Sequence, residues 1–461
     1  MTYIPTSPRE RDAMLKVIGV KSLDDLFDAI PAKHRFPKLD LPPALTEMEA
    51  YAELSDLAQS NENVRGDLIS FLGAGMYNHY IPSVIDHMLR RGEFYTAYTP
   101  YQPEISQGTL QAIFEYQSLM SALTGMDVSN ASHYDGATAT AEAVNLAYAQ
   151  FRGKRKRVVV SPSVHPQYRA VLRTYTQGMG IEVTGDDDQL QTANYQSPIS
   201  SLEPFDELRT ASLISEDTCL VIVQYPDFFG RVYDYTKLIE ASHAKGALLC
   251  VVANPTALAM FKTPGDMGAD IVVGDGQPLG IPMWYGGPSV GFFTTRKQYV
   301  HKMAGRLIGE TVDNKGQRAY VLTLTAREQH IKRERATSNI CTNQGLLALA
   351  TAIYLSVLGK TGLQQVANLC YQKAHYAARE LNKVKGYKVS SETFFHEFVL
   401  ECPKPASEIN AHLLEHGILG GYDLGQDYPS LANHLLIAVT EMNSKEEIDT
   451  LVEVLSEVNH E

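Results

Sequence analysis

The chain has 461 residues, of which 44% are hydrophobic, and it carries a formal net charge of -13. This length predicts a large domain with a smaller companion, and the acidic balance argues against nucleic acid or an anionic membrane surface as partner. No apolar run reaches the roughly 18 residues of a membrane span, and the N-terminus lacks the apolar segment of a signal peptide, so we expect a soluble cytoplasmic protein. The cysteines are odd in number and scattered mostly among apolar neighbours, which favours reduced thiols over disulfides or a metal site.

Residues 1–65 are expected to form a helical N-terminal arm. The segments Ser22–Asp25 and Thr46–Glu49 both have the spacing of a capping box, and each is predicted to start a short amphipathic helix. An arm of this kind packs either on a partner subunit or around its own core, and the sequence alone leaves both possibilities open.

A tyrosine- and proline-rich loop lies between two predicted helices, at about 81–91 and 109–124. Its candidate functional residues are Tyr95, Tyr98, Tyr101 and Glu104. Core packing would explain the tyrosines, because aromatic rings bury well while their hydroxyls reach water. The two prolines stiffen the loop, however, and a stiff loop carrying phenols and a carboxylate also suits the wall of a ligand site.

Small residues open the next predicted helix, which runs to about Phe151. Gly136, Ala137 and Thr138 lie at its start, where free backbone N–H groups and the helix dipole favour an anion such as phosphate. The same Gly-Ala-Thr run would also let a helix approach a sheet closely. The sequence leaves both explanations open.

Short apolar strands then alternate with helical stretches, as in α/β folds. The strands are predicted near 158–160, 181–183, 219–223, 248–252, 271–273 and 291–293. His165 follows the first of them, at the place where enzymes that use pyridoxal phosphate (PLP) commonly stack a ring on the cofactor; a structural histidine is an equally good explanation. The acidic run 186–188 is expected to be a solvated loop.

Two groups that PLP chemistry requires are missing from the predicted strand ends. After the strand at 271–273, the position that would hold the Schiff-base lysine is Gln277, whose amide nitrogen is too weak a nucleophile to form an imine. After the strand at 248–252, the acid that would keep the pyridine nitrogen protonated is replaced by the non-ionisable Val251, Val252, Ala253 or Asn254.

The C-terminal hundred residues are predicted to form a small α/β domain, with strands near 395–400 and 435–439 and helices near 405–416 and 444–458. Beyond Arg379 the chain has no arginine, so this part cannot supply the bidentate fork that binds a substrate carboxylate in many PLP enzymes. Before it, the polar run 337–344, which includes Ser338 and Asn339, precedes an apolar helix at about 345–358.

Five stretches together resemble the P protein of the glycine cleavage system, a family of PLP-dependent glycine decarboxylases. They are GADIVVGDGQPLGIPMWYGGPSVGFF, YTPYQPEISQG, QYPDFFG, AREQHIKRERATSNICTNQ and AVTEMNSKEEID. Within the family the chain is most similar to subunit 1 of the two-chain form. The resemblance implies an α/β PLP-dependent transferase-like fold of the aspartate aminotransferase type (fold type I), with a large doubly wound domain at 66–360 and a small domain at 361–461.

The resemblance also implies a function that this chain performs only with partners. The family's two-chain enzyme is a heterotetramer in which PLP sits on the lysine of subunit 2, glycine loses CO2, and the aminomethyl group passes to the lipoyl group of H protein; T and L proteins complete the system. By position, Gly136, Ala137, Thr138, His165 and Gln277 would form a vestigial cofactor cup. Tyr95, Tyr98, Tyr101 and Glu104, with Ser338 and Asn339, are the candidates for reaching the partner's active site, and no metal is expected.

Two other interpretations remain open from the sequence. One is a self-sufficient PLP decarboxylase that uses Lys262 or Lys297, although neither follows the expected strand end. The other is a structural or regulatory pseudoenzyme subunit that contributes nothing to the active site.

Overall fold

The computed structural model describes residues 6–64, 66–186, 207–390 and 393–458. Two compact units are present, Met1–Glu62 and Asn63–Glu461. The helices are α1 (Pro8–Ile18), α2 (Glu47–Gln59), α3 (Ser83–Leu89), α4 (Gly92–Tyr95), α5 (Gln107–Thr124), α6 (Gly136–Gln150), α7 (Pro166–Thr176), α8 (Glu207–Leu213), α9 (Thr236–Ala244), α10 (Pro264–Met267), α11 (Gln329–Lys332), α12 (Gly345–Leu381), α13 (Ala406–Glu415) and α14 (Lys445–Glu457). The strands are β1 (Ile69–Ser70), β2 (Val128–Ser129), β3 (Arg157–Val160), β4 (Glu182–Thr184), β5 (Thr218–Tyr225), β6 (Leu248–Ala253), β7 (Ile271–Asp275), β8 (Gly291–Thr295), β9 (Leu307–Val312), β10 (Arg318–Thr323), β11 (Lys388–Val389), β12 (Glu397–Glu401), β13 (Ile418–Leu419), β14 (Tyr422–Asp423) and β15 (His434–Ala438).

The first unit contains the two capping motifs predicted for the N-terminal arm. Thr46 and Glu49 cap α2 reciprocally, as predicted. Ser22 and Asp25 make the same pair of bonds, but they start only a four-residue 3₁₀ turn, Asp24–Phe27. The predicted amphipathic helix is wrong there, because Pro31 follows shortly after the turn and leaves little room for a longer helix.

A seven-stranded sheet organises the second unit, in the order β2-β8-β7-β6-β5-β3-β4. Strands β3 to β7 pair in parallel, and β8 runs antiparallel between β7 and β2. All six strands predicted from short apolar runs are present. Successive residues of β5 face opposite sides, so that Val221 and Val223 join a core that includes residues of α5, α9 and α12, while Leu220 and Ile222 pack with α6 and α7. The sheet is therefore covered on both faces, as a doubly wound fold requires.

The C-terminal region contains a four-stranded sheet, in the order β11-β12-β15-β14. Its strands β12 and β15 and its helices α13 and α14 lie where they were predicted, and they enclose a separate core. The hairpin β9–β10, whose strands pair over residues 307–323, was not predicted.

Helix α12 crosses position 360, where the sequence predicted a domain boundary. It turns at Gly359, which has φ 58° and ψ -172°. By length and composition α12 could cross a membrane, but most of its buried residues belong to the cores of the two sheets, which accounts for its apolar composition. The division into 66–360 and 361–461 stays a prediction.

Two smaller predictions have different outcomes. The prediction of a solvated loop is wrong for Asp186, which is buried. Two arginines of α7 reach its carboxylate, and Arg173 donates a hydrogen bond to it at 2.5 Å. Residues 187 and 188 lie outside the described ranges. The cysteines are all free, and four of the five are buried, Cys341 being the exposed one.

Candidate functional site

The predicted cofactor cup lies at the carboxyl ends of β3, β6 and β7, opposite the N-terminus of α6. Gly136, Ala137 and Thr138 form the first turn of α6, and Asp135 caps it by accepting a hydrogen bond from Thr138 N at 2.7 Å. His165 follows β3, and Gln277 follows β7. A cavity of about 40 Å³ remains between these strand ends, which is room for about one water molecule.

The side chain of Gln277 is buried and fully hydrogen-bonded. Its Oε1 accepts from Tyr77 N at 2.9 Å, and its Nε2 donates to Tyr77 O and Ile281 O, both at 2.9 Å. The amide therefore binds both backbone groups of one residue, as a neighbouring strand would. At the position of the missing lysine, the side chain ties β7 to the segment around Tyr77.

Asp275, two residues earlier, directs its carboxylate at the start of α6. One oxygen accepts from Gly136 N at 3.1 Å, and the other accepts from Gln277 N at 2.9 Å and from the Ser289 hydroxyl. Burial raises the pKa of Asp275 to about 6. A carboxylate of the chain itself thus occupies the place where the helix N-terminus would hold a phosphate.

His165 stacks on a side chain of its own helix. The ring of Tyr168 lies 4.9 Å from the His165 ring at an interplanar angle of 20°. His165 Nδ1 accepts from Gln167 N, so Nε2 carries the proton and donates to Ala74 O at 2.8 Å. Burial lowers the pKa of His165, which keeps this ring neutral. The hydroxyl of Tyr168 reaches Gly136, where an added Cβ would lie only 2.2 Å from it.

At the end of β6, Asn254 has no carboxylate to offer. Its Oδ1 accepts from Thr256 N at 3.0 Å, and its Nδ2 lies 3.1 Å from His396 Nε2. Burial lowers the pKa of His396 to about 3, so both partners are neutral. PLP therefore does not fit this cup: the lysine and the acid are replaced, a carboxylate holds the phosphate position, and a phenol covers His165.

The tyrosine loop lies apart from the cup. Tyr95 ends α4, and the rings of Tyr98 and Tyr101 lie 6.5 Å apart. Both tyrosines are exposed, as is Glu104. Beneath the loop is a cavity of about 210 Å³; it is lined by Phe94, Tyr95, Tyr98, Ile113, Asn343 and Leu346, among others. The loop thus presents phenols and a carboxylate at the surface rather than in the core.

The polar run 337–344 packs against α6 and against the segment that precedes it. Ser338 donates to Glu142 of α6 at 2.8 Å, while Asn339 is exposed. Burial raises the pKa of Glu142 to about 7. Asn343 donates to Ala131 O at 3.0 Å. The structure therefore brings Ser338 onto the helix whose first turn forms the cup.

Arg306, which the sequence did not single out, joins the two loops. It is buried, and its guanidinium donates to Asn343 Oδ1 at 2.9 Å, to Cys341 O at 2.8 Å and to the Tyr101 hydroxyl at 3.5 Å. Its carbon Cζ lies 5.8 Å from the centre of the Tyr101 ring. The tyrosine loop and the polar run therefore form one surface.

The two alternative lysines lie away from the cup. Lys262 is exposed and contacts Thr236 and Asp234. Lys297 is exposed at the turn after β8. Neither lines the cavity between the strand ends.

Comparisons with known proteins give a consistent result. The family model described as "Glycine cleavage system P-protein" matches residues 1–455. Two relatives named "Probable glycine dehydrogenase (decarboxylating) subunit 1" are each 50% identical: one from Thermomicrobium roseum, with 99% of each chain covered, and one from Geobacillus kaustophilus, with 99% of this chain and 98% of the relative covered.

Solved structures agree at the level of the fold. A crystal structure of glycine decarboxylase (P-protein) of the glycine cleavage system, in inhibitor-bound form, is 42% identical with a TM-score of 0.87 and covers 99% of this chain and 100% of that one. A glutamate decarboxylase from Lactobacillus brevis, at 13% identity, shares the fold with a TM-score of 0.64 and covers 94% of this chain and 97% of that one. The predicted fold class is confirmed. The chain belongs to the P-protein family of the glycine cleavage system.

Proposed function

We propose that this chain is subunit 1 of a two-chain glycine decarboxylase and that it completes an active site whose cofactor is held by the partner, subunit 2. The observation that carries the proposal is that side chains of this chain fill the cofactor cup. The family depends on PLP, yet here the cofactor position is taken by Gln277, Asp275 and Tyr168. Relatives of the same length are named subunit 1, which supports a second subunit as the source of the lysine.

In the proposed reaction, PLP on the partner acts as the electron sink that lets glycine release CO2, and the aminomethyl group passes to the lipoyl group of H protein. The residues of this chain are proposed to shape and close the site from outside. Tyr95, Tyr98, Tyr101, Glu104 and Asn339 would supply phenols, a carboxylate and an amide on this surface. Ser338, whose hydroxyl is bound to the buried Glu142, would hold the polar run in place beside them. We further propose a heterotetramer that works with the H, T and L proteins in the cytoplasm; the buried free thiols suit a reducing compartment.

Reconstitution tests the proposal directly. Release of labelled CO2 from carboxyl-labelled glycine would be measured with lipoylated H protein and with this chain alone, subunit 2 alone, or both. We expect turnover only when both chains are present. Equal turnover by subunit 2 alone would support the pseudoenzyme interpretation instead, and turnover by this chain alone would mean that it holds its own cofactor.

A further inference from the structure

Three side chains of this protein occupy the three places that a phosphorylated pyridine cofactor needs on this fold. The Asp275 carboxylate lies 3.1 Å from Gly136 N, at the phosphate position. Tyr168 lies parallel to His165 at 4.9 Å, at the ring position. Gln277 takes the lysine position.

The charges at the start of α6 oppose a phosphate. Asp135 and Asp275 each accept a hydrogen bond from one of the first backbone N–H groups of the helix, so two donors that would bind phosphate are already satisfied by anions. A phosphate entering the cup would have to displace Asp275 and would meet the charge of Asp135 at short range.

The ring position is closed by geometry rather than by charge. Tyr168 extends from the stacked face of His165 to Gly136, where its hydroxyl lies within contact of the helix backbone. The remaining cavity of about 40 Å³ does not hold a pyridine ring. Tyr168 must leave before a ring can enter.

The position that a Schiff-base lysine would take is also occupied, by a hydrogen-bonded side chain. Gln277 both accepts from and donates to the backbone of Tyr77. A lysine there can donate but has no acceptor for Tyr77 N.

We propose that Asp275, Tyr168 and Gln277 together exclude PLP from this chain, so that a lysine at position 277 alone does not create a cofactor site. This inference rests on the proposed function, in which the cofactor is loaded only on the partner. The three residues are then specificity determinants that keep the cofactor from distributing between two similar subunits.

The test uses the full chain alone. Wild type, Gln277→Lys, and the triple variant Gln277→Lys/Asp275→Asn/Tyr168→Ala would be incubated with PLP and reduced with borohydride, and the label at position 277 would be measured by peptide mass spectrometry. We expect background label for Gln277→Lys, and label about tenfold or more above it for the triple variant.

A matched control exists at the other end of β7. Asp270 and Tyr299 form a second buried Asp–Tyr pair, with the hydroxyl 3.2 Å from the carboxylate. Gln277→Lys/Asp270→Asn/Tyr299→Ala is expected to stay at background, because it perturbs the strand without opening the cup.

The outcomes separate clearly. Stoichiometric label in Gln277→Lys alone, or background label in a triple variant shown to be folded by circular dichroism, would overturn the inference. If the triple variant does not fold, the milder triple variant Gln277→Lys/Asp275→Asn/Tyr168→Val, which keeps more apolar volume at position 168, decides: label above that of Gln277→Lys supports the exclusion, and equal label in the folded protein overturns it. Specific label on another lysine of the wild type would overturn the proposed function but leave the exclusion at the cup intact.

Discussion

At the scale of single residues, Tyr98 and Tyr101 present phenol groups on a surface held by a buried arginine. Replacing both by Phe keeps the rings and removes only the hydroxyls. Under the proposed assignment, in which these hydroxyls bind reacting groups in the partner's site, we expect glycine decarboxylation by the assembled enzyme to fall about tenfold or more, because each lost hydrogen bond costs about 1 kcal/mol or more. Assembly, measured by light scattering, is expected to be unchanged.

The control for this pair is Tyr51→Phe, since Tyr51 is exposed on α2, outside the two loops. Its turnover should equal that of the wild type. Undiminished turnover in the Tyr98/Tyr101 variant with subunit 2 present would reject the assignment of the tyrosine loop to the active site.

Gln277 allows a second prediction, about stability. Gln277→Met fills nearly the same volume but leaves Tyr77 N, Tyr77 O and Ile281 O without their partner. Each buried unpaired group costs about 1–3 kcal/mol, so the free energy of unfolding in urea should fall by about 3 kcal/mol. Gln372→Met, at an exposed glutamine of α12, should change the free energy of unfolding by less than about 0.5 kcal/mol. Equal losses for both variants would mean that the hydrogen bonds of Gln277 to Tyr77 and Ile281 contribute nothing.

At the scale of elements, the predicted strands were correct where β-branched residues run together, as in β5 and β6, because both faces of these strands are buried. The hairpin β9–β10 was missed because charged and polar residues interrupt its strands, although the turn at Asp313–Gly316 could have signalled it.

The cup was predictable only in part. The substitution at Gln277 can be seen in the sequence because one strand end fixes its position. The hydrogen bond between Asp275 and Gly136 joins residues 139 positions apart, and the one between Arg306 and Tyr101 joins residues 205 positions apart. Pairings at this range depend on the packed sheet, and local patterns carry no information about them.

The kink in α12 gives a prediction at this scale. Gly359 has a φ of 58°, and an added Cβ would meet no atom within 4 Å, so Gly359→Ala would be penalised only through the backbone. We expect a loss of about 1–2 kcal/mol in the free energy of unfolding.

Gly108 in α5 is the matched control, because a Cβ added there would also meet open space while the backbone lacks a positive φ. Gly108→Ala should leave the stability unchanged or raise it by up to about 1 kcal/mol. A neutral Gly359→Ala would show that the turn in α12 tolerates a side chain.

At the scale of the whole molecule, a buried acid joins the segment before α3 to the C-terminal sheet. Glu397 of β12 accepts from Ala74 N at 2.8 Å and from the Tyr77 hydroxyl at 2.6 Å. Burial raises the pKa of Glu397 to about 7. Since the same Tyr77 is bound by Gln277, the chain between residues 73 and 77 links the two sheets.

This link predicts that the free energy of unfolding depends on pH. The pKa of Glu397 is raised above its unfolded value of about 4.5, so the folded protein holds the extra proton, and the contribution of this group to stability is lost as the pH rises from about 4.5 to 7. Glu397→Gln, which stays neutral, should remove that part of the slope and unfold at higher urea than the wild type at pH 8. Parallel profiles for the two proteins would contradict the assignment; Glu415→Gln, the same substitution at an exposed glutamate of α13, is the control.

The guanidinium of Arg306 has a further consequence. Because one planar group contacts Tyr101 and also binds residues 341 and 343, a displacement of either loop acts on the other through Arg306. The two loops should therefore swing as a single body when a neighbouring chain arrives, and a probe attached to either one should report the same docking event with the same time course.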